Sequence, residues 1–271
     1  AIFHNQHPKR FLHQLISSQL DMDRMDYLRR DAFYTGVVEG AINSERLLSM
    51  LNVADGELVL DGKGISSIEK FLVSRSLMYW QVYMHKAVLS AEYMLVQVLR
   101  RAHELVQRGE PLFAGDELQL FLQKRPTMGD FQDDPAVLLA FTRLDDADIL
   151  GAMKQWTKHS DPVLADLSDR LLNRRLFRIK FLPTALSPSQ RAELEAKVQS
   201  EYGIHAADCR HFVLEGTASN ATYKSDKQEI KILKKSGRII PLSEASEILP
   251  LSVYSHTITR PFVCWPKGIE W

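Results

Sequence analysis

Cysteine is scarce in this chain of 271 residues, which contains only Cys209 and Cys264. Two cysteines cannot form the framework of a disulfide-rich secreted protein, so the sequence predicts a reducing, cytoplasmic location. No run of about 18 uncharged apolar residues occurs, which argues against a membrane span. Neither sign of charge is in excess, because 34 basic side chains are balanced by 34 acidic ones. We therefore expect neither nucleic acid nor an anionic membrane as a partner.

Several short catalytic signatures are also missing, namely GxSxG, CxxC, GxGxxG and GxxxxGK[ST]. The first residues, AIFHNQHPKRF, contain neither an initiator Met nor the apolar segment of a signal peptide. We therefore expect the chain to begin at a processing or fragment boundary. Its 45% hydrophobic residues are ample for a buried core in one large domain or two ordinary ones.

The first two thirds of the chain have the pattern of helices. One helix is predicted from Asp21 to about Gly36, with acidic residues at its start that suit the helix dipole. The longest helical pattern runs from residue 65 to 107, and it is too apolar on too many sides to lie on the surface. Between these two, residues 56–64 alternate in polarity around an Asp-Gly turn and predict a hairpin.

The pattern changes near Leu176, where the strand-like sequence FRIKFL begins. A helix with a Ser cap, Pro in its first turn and Gly203 as its stop follows, and then come further strand-like segments up to residue 265. The sequence therefore predicts a mainly α protein with a helical body at residues 1–175. A small α+β module is predicted at residues 176–271.

Two carboxylates and a phenol are spaced to lie on one face of the first long helix. Asp23, Tyr27 and Asp31 follow one another at intervals of four residues, and Arg24 flanks that face. Such a set could hold a metal ion, a sugar hydroxyl and a phosphate. Acidic residues at a helix start also serve as caps, and Arg–Asp pairs often form a solvated face, so both interpretations stay open.

A second stripe lies on the apolar helix predicted further along. Arg75, Tyr79, Tyr83 and Lys86 recur at helical spacing, and a buried cation without a partner is costly. An anionic ligand would satisfy both cations. Internal ion pairs would do so as well, with carboxylates of the first stripe as the obvious partners.

Three segments resemble a known family. The runs SSQLDMDRMDYLRRDAFYTGV, IEKFLVSRSLMYWQVYMHKAV and NRRLFRIKF are similar to successive parts of the dGTPase-like deoxynucleoside triphosphate (dNTP) triphosphohydrolases, a branch of the HD-domain phosphohydrolases. The resemblance covers most of the chain, although the α+β tail matches only loosely. It implies a helical catalytic body, which this chain contains in part. It also implies hydrolysis of a dNTP to deoxynucleoside and tripolyphosphate, a divalent metal ion and a homo-oligomer.

The resemblance also implies roles for individual residues. Asp23 matches the family's distant metal-binding Asp, and Asp31 matches the residue that accepts the sugar 3′-hydroxyl. The resemblance implies substrate contacts for Arg24, Tyr27, Arg75 and Tyr83. We expect Tyr79 and Lys86 to join them as the remaining members of the second stripe. The weakest transfer, to an allosteric nucleotide contact, falls on Arg174 and Arg178 with Leu176 between them.

The chain departs from the family pattern in two ways. Tyr79 stands where the animal enzymes have a His that handles the phosphates, which puts the substrate in doubt. No His-Asp dipeptide occurs, and only 22 residues precede Asp23, so the first His and the His-Asp doublet of the family are missing. One carboxylate cannot hold a transition metal tightly, and we expect this chain alone not to be a competent phosphohydrolase.

Three functions remain possible from the sequence. The first is a metal-dependent dNTP phosphohydrolase to which this chain contributes part of the metal site. The second is a non-catalytic module that binds a nucleotide and mediates oligomerisation. The third is an HD hydrolase that acts on a monophosphate or a cyclic nucleotide, which Tyr79 makes conceivable.

Overall fold

The computed structural model describes residues 1–220, 229–246 and 256–271. Its architecture confirms the predicted fold class, a mainly helical body with a small α+β part. Part of the strand-like segment predicted near the C-terminus, residues 251–255, lies outside the described residues. Within the described ranges, no helix combines the length and the hydropathy that crossing a bilayer requires.

The helices and strands occur in the following order along the chain. The helices are α1 Arg10–Ile16, α2 Met22–Thr35, α3 Ser44–Met50, α4 Ile65–Met78, α5 Lys86–Gln107, α6 Asp116–Gln123, α7 Met128–Asp133, α8 Pro135–Arg143, α9 Asp146–Trp156, α10 Pro162–Leu172, α11 Pro188–Tyr202 and α12 Leu242–Ala245. The strands are β1 Leu51–Ala54, β2 Glu57–Asp61, β3 Arg178–Phe181, β4 Leu214–Asn220, β5 Lys231–Leu233, β6 Ile239–Pro241 and β7 Ile258–Trp265.

Two compact units are present in the described chain. The first comprises residues 1–85 and 218–259, and the second comprises residues 86–217 and 260–271. These bounds differ from the division at residue 175 that the sequence pattern predicts, and that division stays a prediction.

The first unit packs α2 and α4 around a shared apolar core. Leu28 of α2 and Ile68, Phe71 and Leu72 of α4 are completely buried. A four-stranded sheet in the order β1-β2-β5-β6 adds Leu60 and other apolar side chains to this core. Burial of such side chains contributes roughly 1.5–3 kcal/mol each and fixes the two helices side by side.

The hairpin predicted within residues 56–64 is wrong, because its Asp61-Gly62 pair does not join two strands: residues 62–64 form a 3-10 helix after β2. A hairpin is instead present with its turn at the preceding Asp-Gly pair. Antiparallel β1 and β2 are joined by Asp55 and Gly56, which have φ angles of 51° and 74°. Two consecutive residues with positive φ form the tight turn that suits the twist of paired strands. On its other side, β2 pairs in parallel with β5, which lies about 170 residues further along the chain.

The prediction of one continuous helix over residues 65–107 is wrong. The α-helical hydrogen bonding of α4 ends at Met78, and residues 79–83 form a π-helix. In this segment the amide of Met84 donates to the carbonyl of Tyr79 over 2.7 Å, five residues back. A new helix, α5, starts at Lys86.

The second unit contains α5 to α11, β3 and most of β4 and β7. The sheet order is β3-β7-β4, and β3 pairs antiparallel with the apolar end of β7. As predicted, Ser187 caps α11 and Gly203 follows it with a φ of 61°. The sequence interpretation missed α3, α7, α8 and α12.

Candidate functional site

The start of α2 is held by a carboxylate that also binds the neighbouring guanidinium. Asp21 is 4% exposed, and its Oδ1 accepts a 2.8 Å hydrogen bond from the backbone amide of Arg24. Arg24 Nε donates to Asp21 Oδ2 over 3.0 Å and to the carbonyl of Ser18 over 2.8 Å. The capping role that the sequence allowed for an acidic residue is therefore taken by Asp21.

Asp23, the predicted metal ligand, lies on the exposed side of α2. It makes no hydrogen bond or ion pair with any residue in the described part of the chain. Within that part, no group of three or more His, Cys, Asp or Glu residues is arranged to hold a metal ion. The described residues therefore do not form a complete metal site, and the role of Asp23 stays a prediction.

Three tyrosines from α2 and the π-helix meet one turn further along α2. The ring centroid of Tyr83 lies 5.9 Å from that of Tyr27 and 5.2 Å from that of Tyr79, in edge-to-face arrangements. The hydroxyl of Tyr83 donates a 2.7 Å hydrogen bond to Asp31 Oδ2. The structure thus brings Tyr27 and Asp31 of the first stripe together with Tyr79 and Tyr83 of the second. That these residues contact a substrate stays a prediction.

Burial keeps these phenols protonated. Desolvation, together with the hydrogen bond and proximity to Tyr79, raises the pKa of Tyr27 to about 12, against the opposing effect of Arg75 and Arg24. Desolvation and the bond to Asp31 raise the pKa of Tyr83 above its usual range. At neutral pH both side chains can therefore donate hydrogen bonds, but neither is a tyrosinate that could accept a proton.

Arg75 is the most unusual residue of the cluster. It is 6% exposed, and Nη1 donates a long 3.4 Å bond to Gln19 Oε1. The guanidinium carbon lies 5.7 Å from the centre of the Tyr79 ring, while Nε is buried with no hydrogen-bond partner among the described residues. No carboxylate of these residues forms an ion pair with it. A buried cation in this state can be stabilised by an anion that binds from outside the described chain.

The internal ion pairs that the sequence offered as the alternative are not formed in the described residues. Arg75 is not paired with Asp23 or Asp31, because Asp31 binds Tyr83 and Asp23 is exposed. Gln19 was missed by the sequence interpretation. It is 56 residues away from Arg75 in the chain, so no local spacing could have shown the contact.

The π-helix helps to place these side chains. An extra residue in the turn widens the helix at Tyr79–Tyr83, and such segments occur frequently at functional sites. Lys86 was predicted to continue the same helical stripe, and that expectation is wrong because the helix ends before it. In the second unit, the Lys86 ammonium lies 5.8 Å from the centre of the Phe181 ring.

The two predicted allosteric residues lie in the second unit. Arg174 is exposed, with a φ of 54°, in the turn after α10, and Arg178 is exposed at the first position of β3. Neither side chain makes a hydrogen bond or ion pair with another described residue. Their exposure leaves both side chains accessible, and an allosteric role stays a prediction.

Residues 42–129 match the family model described as the HD associated region. This range contains α3 to α6, including Arg75, the π-helix and the first unit's hairpin. The chain is 31% identical over 262 residues to uncharacterized protein YwfO of Bacillus subtilis, and the match covers 94% of this chain and 57% of that protein. The chain therefore spans little more than half the length of this curated relative.

Two further similarities concern proteins with a described activity. A phosphohydrolase of Bacteroides thetaiotaomicron has a crystal structure that superposes with a TM-score of 0.93 at 42% identity, over 98% of this chain and 66% of that one. A protein of Dictyostelium discoideum named deoxynucleoside triphosphate triphosphohydrolase SAMHD1 homolog is 24% identical over 112 residues, which is 40% of this chain and 22% of that protein.

Proposed function

We propose that this chain, whose similarities support a place in the HD-domain phosphohydrolase family, is part of a metal-dependent enzyme that hydrolyses dNTPs to deoxynucleoside and tripolyphosphate. The observation that carries the proposal is the buried guanidinium of Arg75, which lacks a carboxylate partner among the described residues. A polyphosphate is the ligand class that supplies compensating charge at a binding site for nucleotides.

The other groups around Arg75 suit the same ligand. Arg24 uses Nε for its bonds within the protein, so its terminal nitrogens remain available to phosphate oxygens. The neutral phenol of Tyr27 and the hydroxyl of Tyr79 would donate hydrogen bonds to the ligand. Asp31 binds Tyr83 through Oδ2, and its Oδ1, which lies 3.9 Å from Arg30 Nε, would accept a sugar hydroxyl. In this proposal the chain's own residues bind and orient the nucleotide.

The proposed metal ion is not accounted for by the described residues. A bound divalent ion would supply charge stabilisation and an activated water, but Asp23 alone offers one exposed carboxylate for it. The described residues include no cluster that would bring the nitrogen donors favoured by a transition metal to such a site. We therefore assign the binding of the nucleotide, and no catalytic step, to the described chain.

A second candidate function is a non-catalytic module that binds a nucleotide and assembles as an oligomer. The lack of a metal-binding cluster in the described residues favours it. Hydrolysis of a monophosphate or cyclic nucleotide is a third candidate, because Tyr79 occupies the position of a phosphate-handling His in the animal enzymes.

We place the protein in the cytoplasm, since both cysteines are buried free thiols.

The natural full-length protein, incubated with each of the four dNTPs and with Mg²⁺, Mn²⁺, Fe²⁺ or Co²⁺, tests the proposal. We expect deoxynucleoside and tripolyphosphate to appear together in the chromatogram, and an Arg75→Met variant to lose turnover. Nucleotide-dependent thermal stabilisation without product would support the non-catalytic module instead. Turnover of a nucleoside monophosphate with release of inorganic phosphate would support the third candidate.

A further inference from the structure

Helix α8 is apolar around most of its circumference but is largely exposed. Its sequence from Pro135 to Phe141, PAVLLAF, has no polar side chain, yet Val137 is the only residue of the helix that is buried. Leu138 and Leu139 are each 49% exposed, and Phe141 is 57% exposed. A helix with this composition is normally covered by other parts of a protein. We call Leu138, Leu139 and Phe141 the α8 patch.

The α8 patch is a continuous surface with an ordered aromatic edge. At 100° per residue, its three side chains occupy roughly 160° of the helix circumference. The ring of Phe141 lies 5.5 Å from that of Phe131 and 6.2 Å from that of Phe121, both in edge-to-face contacts. The patch is therefore held on a packed aromatic base, which favours a specific contact over a loose apolar one.

Acidic side chains stand at both ends of this helix. Residues 113–150 contain eight acidic and three basic side chains, although the whole chain is neutral. Several of the carboxylates cap helices through one oxygen, as Asp134 does for α8 and Asp145 for α9. Asp133 and Asp146 make no hydrogen bond with described residues, so both are available to a partner. The acidic residues next to the helix are Asp130, Asp133 and Asp134 before it and Asp145, Asp146 and Asp148 after it.

We propose that the α8 patch binds a basic amphipathic helix of another protein, with apolar side chains on one face and Lys or Arg at both ends. The charge distribution carries this choice of occupant. The residues flanking the apolar centre are mainly acidic, and the one cation of α8, Arg143, lies 4.0 Å from the Glu117 carboxylate, so the surface is complementary to that pattern. A second copy of the chain fits less well. Two-fold pairing of α8 with itself would place acidic residues against acidic residues at both ends. The inference is independent of nucleotide hydrolysis.

Two labelled helical peptides test the proposal against the full chain by fluorescence anisotropy. Both carry the same leucine face, and one has Lys at its ends where the other has Glu. We expect the Lys peptide to bind at least about tenfold more tightly, and raising the salt concentration to reduce that difference. Equal affinity of the two peptides would overturn the proposal.

Matched variants show whether binding occurs at the α8 patch. Leu138→Ser and Phe141→Ser should each abolish binding of the Lys peptide, and Asp133→Asn with Asp146→Asn should weaken it about tenfold. Leu48→Ser is the control, because Leu48 is similarly exposed, at 46%, on α3 in the first unit. It should leave binding unchanged, and all variants should keep the melting temperature of the parent chain because the replaced side chains are exposed.

Other occupants of the α8 patch would give different results. If the chain is a dimer in sedimentation experiments and Leu138→Ser makes it monomeric, a second copy covers the patch and the proposal is wrong. The same conclusion follows if hydrogen exchange of α8 in the natural full-length protein is slow without any partner and the Lys peptide does not bind.

Discussion

Tyr83 of the π-helix donates a 2.7 Å hydrogen bond to the carboxylate of Asp31 on α2, across 52 residues of sequence. This bond joins the two stripes that the sequence singled out, and it connects the π-helix directly to α2. Because the acceptor is charged and only half-buried, its net contribution to folding is about 1 kcal/mol.

We predict that Tyr83→Phe and Asp31→Ala each lower the free energy of unfolding, because each removes one partner of this bond. The double variant should be about as stable as the less stable of the two single variants. A double-mutant cycle by urea denaturation should give a coupling energy of about 1 kcal/mol. Tyr34→Phe is the matched control, because Tyr34 is 80% exposed and should tolerate loss of its hydroxyl. Additive effects of the two substitutions would contradict the structure.

Replacement of Arg75 should affect the stability of the free protein and of the anion-bound protein differently. Its guanidinium is buried without a carboxylate among the described residues, so Arg75→Met should leave the unliganded chain equally stable or more stable. With inorganic tripolyphosphate at about 100 times its Kd, the parent chain should gain about 2.7 kcal/mol of stability. The Arg75→Met variant should not show this gain, because a thioether cannot pair with the anion.

The measurement is thermal unfolding with and without tripolyphosphate. Arg29→Met serves as the control, because Arg29 is an exposed arginine on α2 and should leave both values unchanged. A strongly destabilised Arg75→Met variant without ligand would show that the guanidinium is already well paired. Retention of the full shift by this variant would place the anion elsewhere.

The parts of the fold that the sequence predicted correctly depend on local rules. Asp21 and Gly36 bound α2, and Ser187 and Gly203 bound α11, because caps and left-handed stops act within one helical turn. The end of α4 at Met78 could not be predicted from the nearby sequence. The apolar residues continue through it, and no Gly or Pro at residues 78–86 marks the change to π-helical hydrogen bonding.

The sequence predicted which residues form the candidate site, but not which of them contact one another. Helical spacing placed Tyr27 and Asp31 on one face and Arg75 and Tyr79 on another, and these faces do contribute to one cluster. Which carboxylate meets which cation depends on tertiary packing, so the sequence left both an ion pair and an external anion open for Arg75. Helix α8 was missed, although Asp134 followed by Pro135 is the pattern of an N-cap with proline in the first turn.

Arg101 and Arg100 provide a contrast between neighbouring arginines of α5. Arg101 is 4% exposed and binds Asp161 through two bonds of 2.6 and 3.0 Å, with Asp208 at 3.0 Å and Glu104 at 3.3 Å. Arg101→Met should lower the free energy of unfolding by about 3–5 kcal/mol, because three carboxylates lose their shared cation.

Arg100→Met should change the same quantity by no more than about 0.5 kcal/mol, because Arg100 is exposed and has no partner among the described residues. The free energies of unfolding of both variants are measured by chemical denaturation at the same pH and salt concentration. Similar losses for the two variants would show that Arg101 contributes mainly through its aliphatic stem and not through its ion pairs.

His211 makes the stability of the second unit sensitive to pH. It is 1% exposed, its Nδ1 lies 3.2 Å from Gln97 Oε1, and Arg210 Nε donates to its Nε2 over 3.4 Å. Burial lowers the pKa of His211, and this outweighs the opposite effect of the nearby Glu104 carboxylate. The folded chain therefore keeps a neutral imidazole at a pH where the unfolded chain has taken up a proton.

The sign of the effect follows from the lowered pKa. Above about pH 6.5 both states are neutral at this position, and below it only the unfolded state gains stability from the proton. The free energy of unfolding should therefore fall as the pH drops below about 6.5, by at most about 1.4 kcal/mol per pH unit for this residue, until the folded-state pKa is passed.

Urea denaturation at several pH values between about 7.5 and 5 measures this slope. His211→Gln should be less stable than the parent at about pH 7.5, because the substitution disturbs a buried hydrogen-bonded position. It should nevertheless show a smaller fall across the same range, because glutamine does not titrate. If the variant and the parent lose stability in parallel, the buried imidazole is not the source of the pH dependence, and another titrating group must account for it.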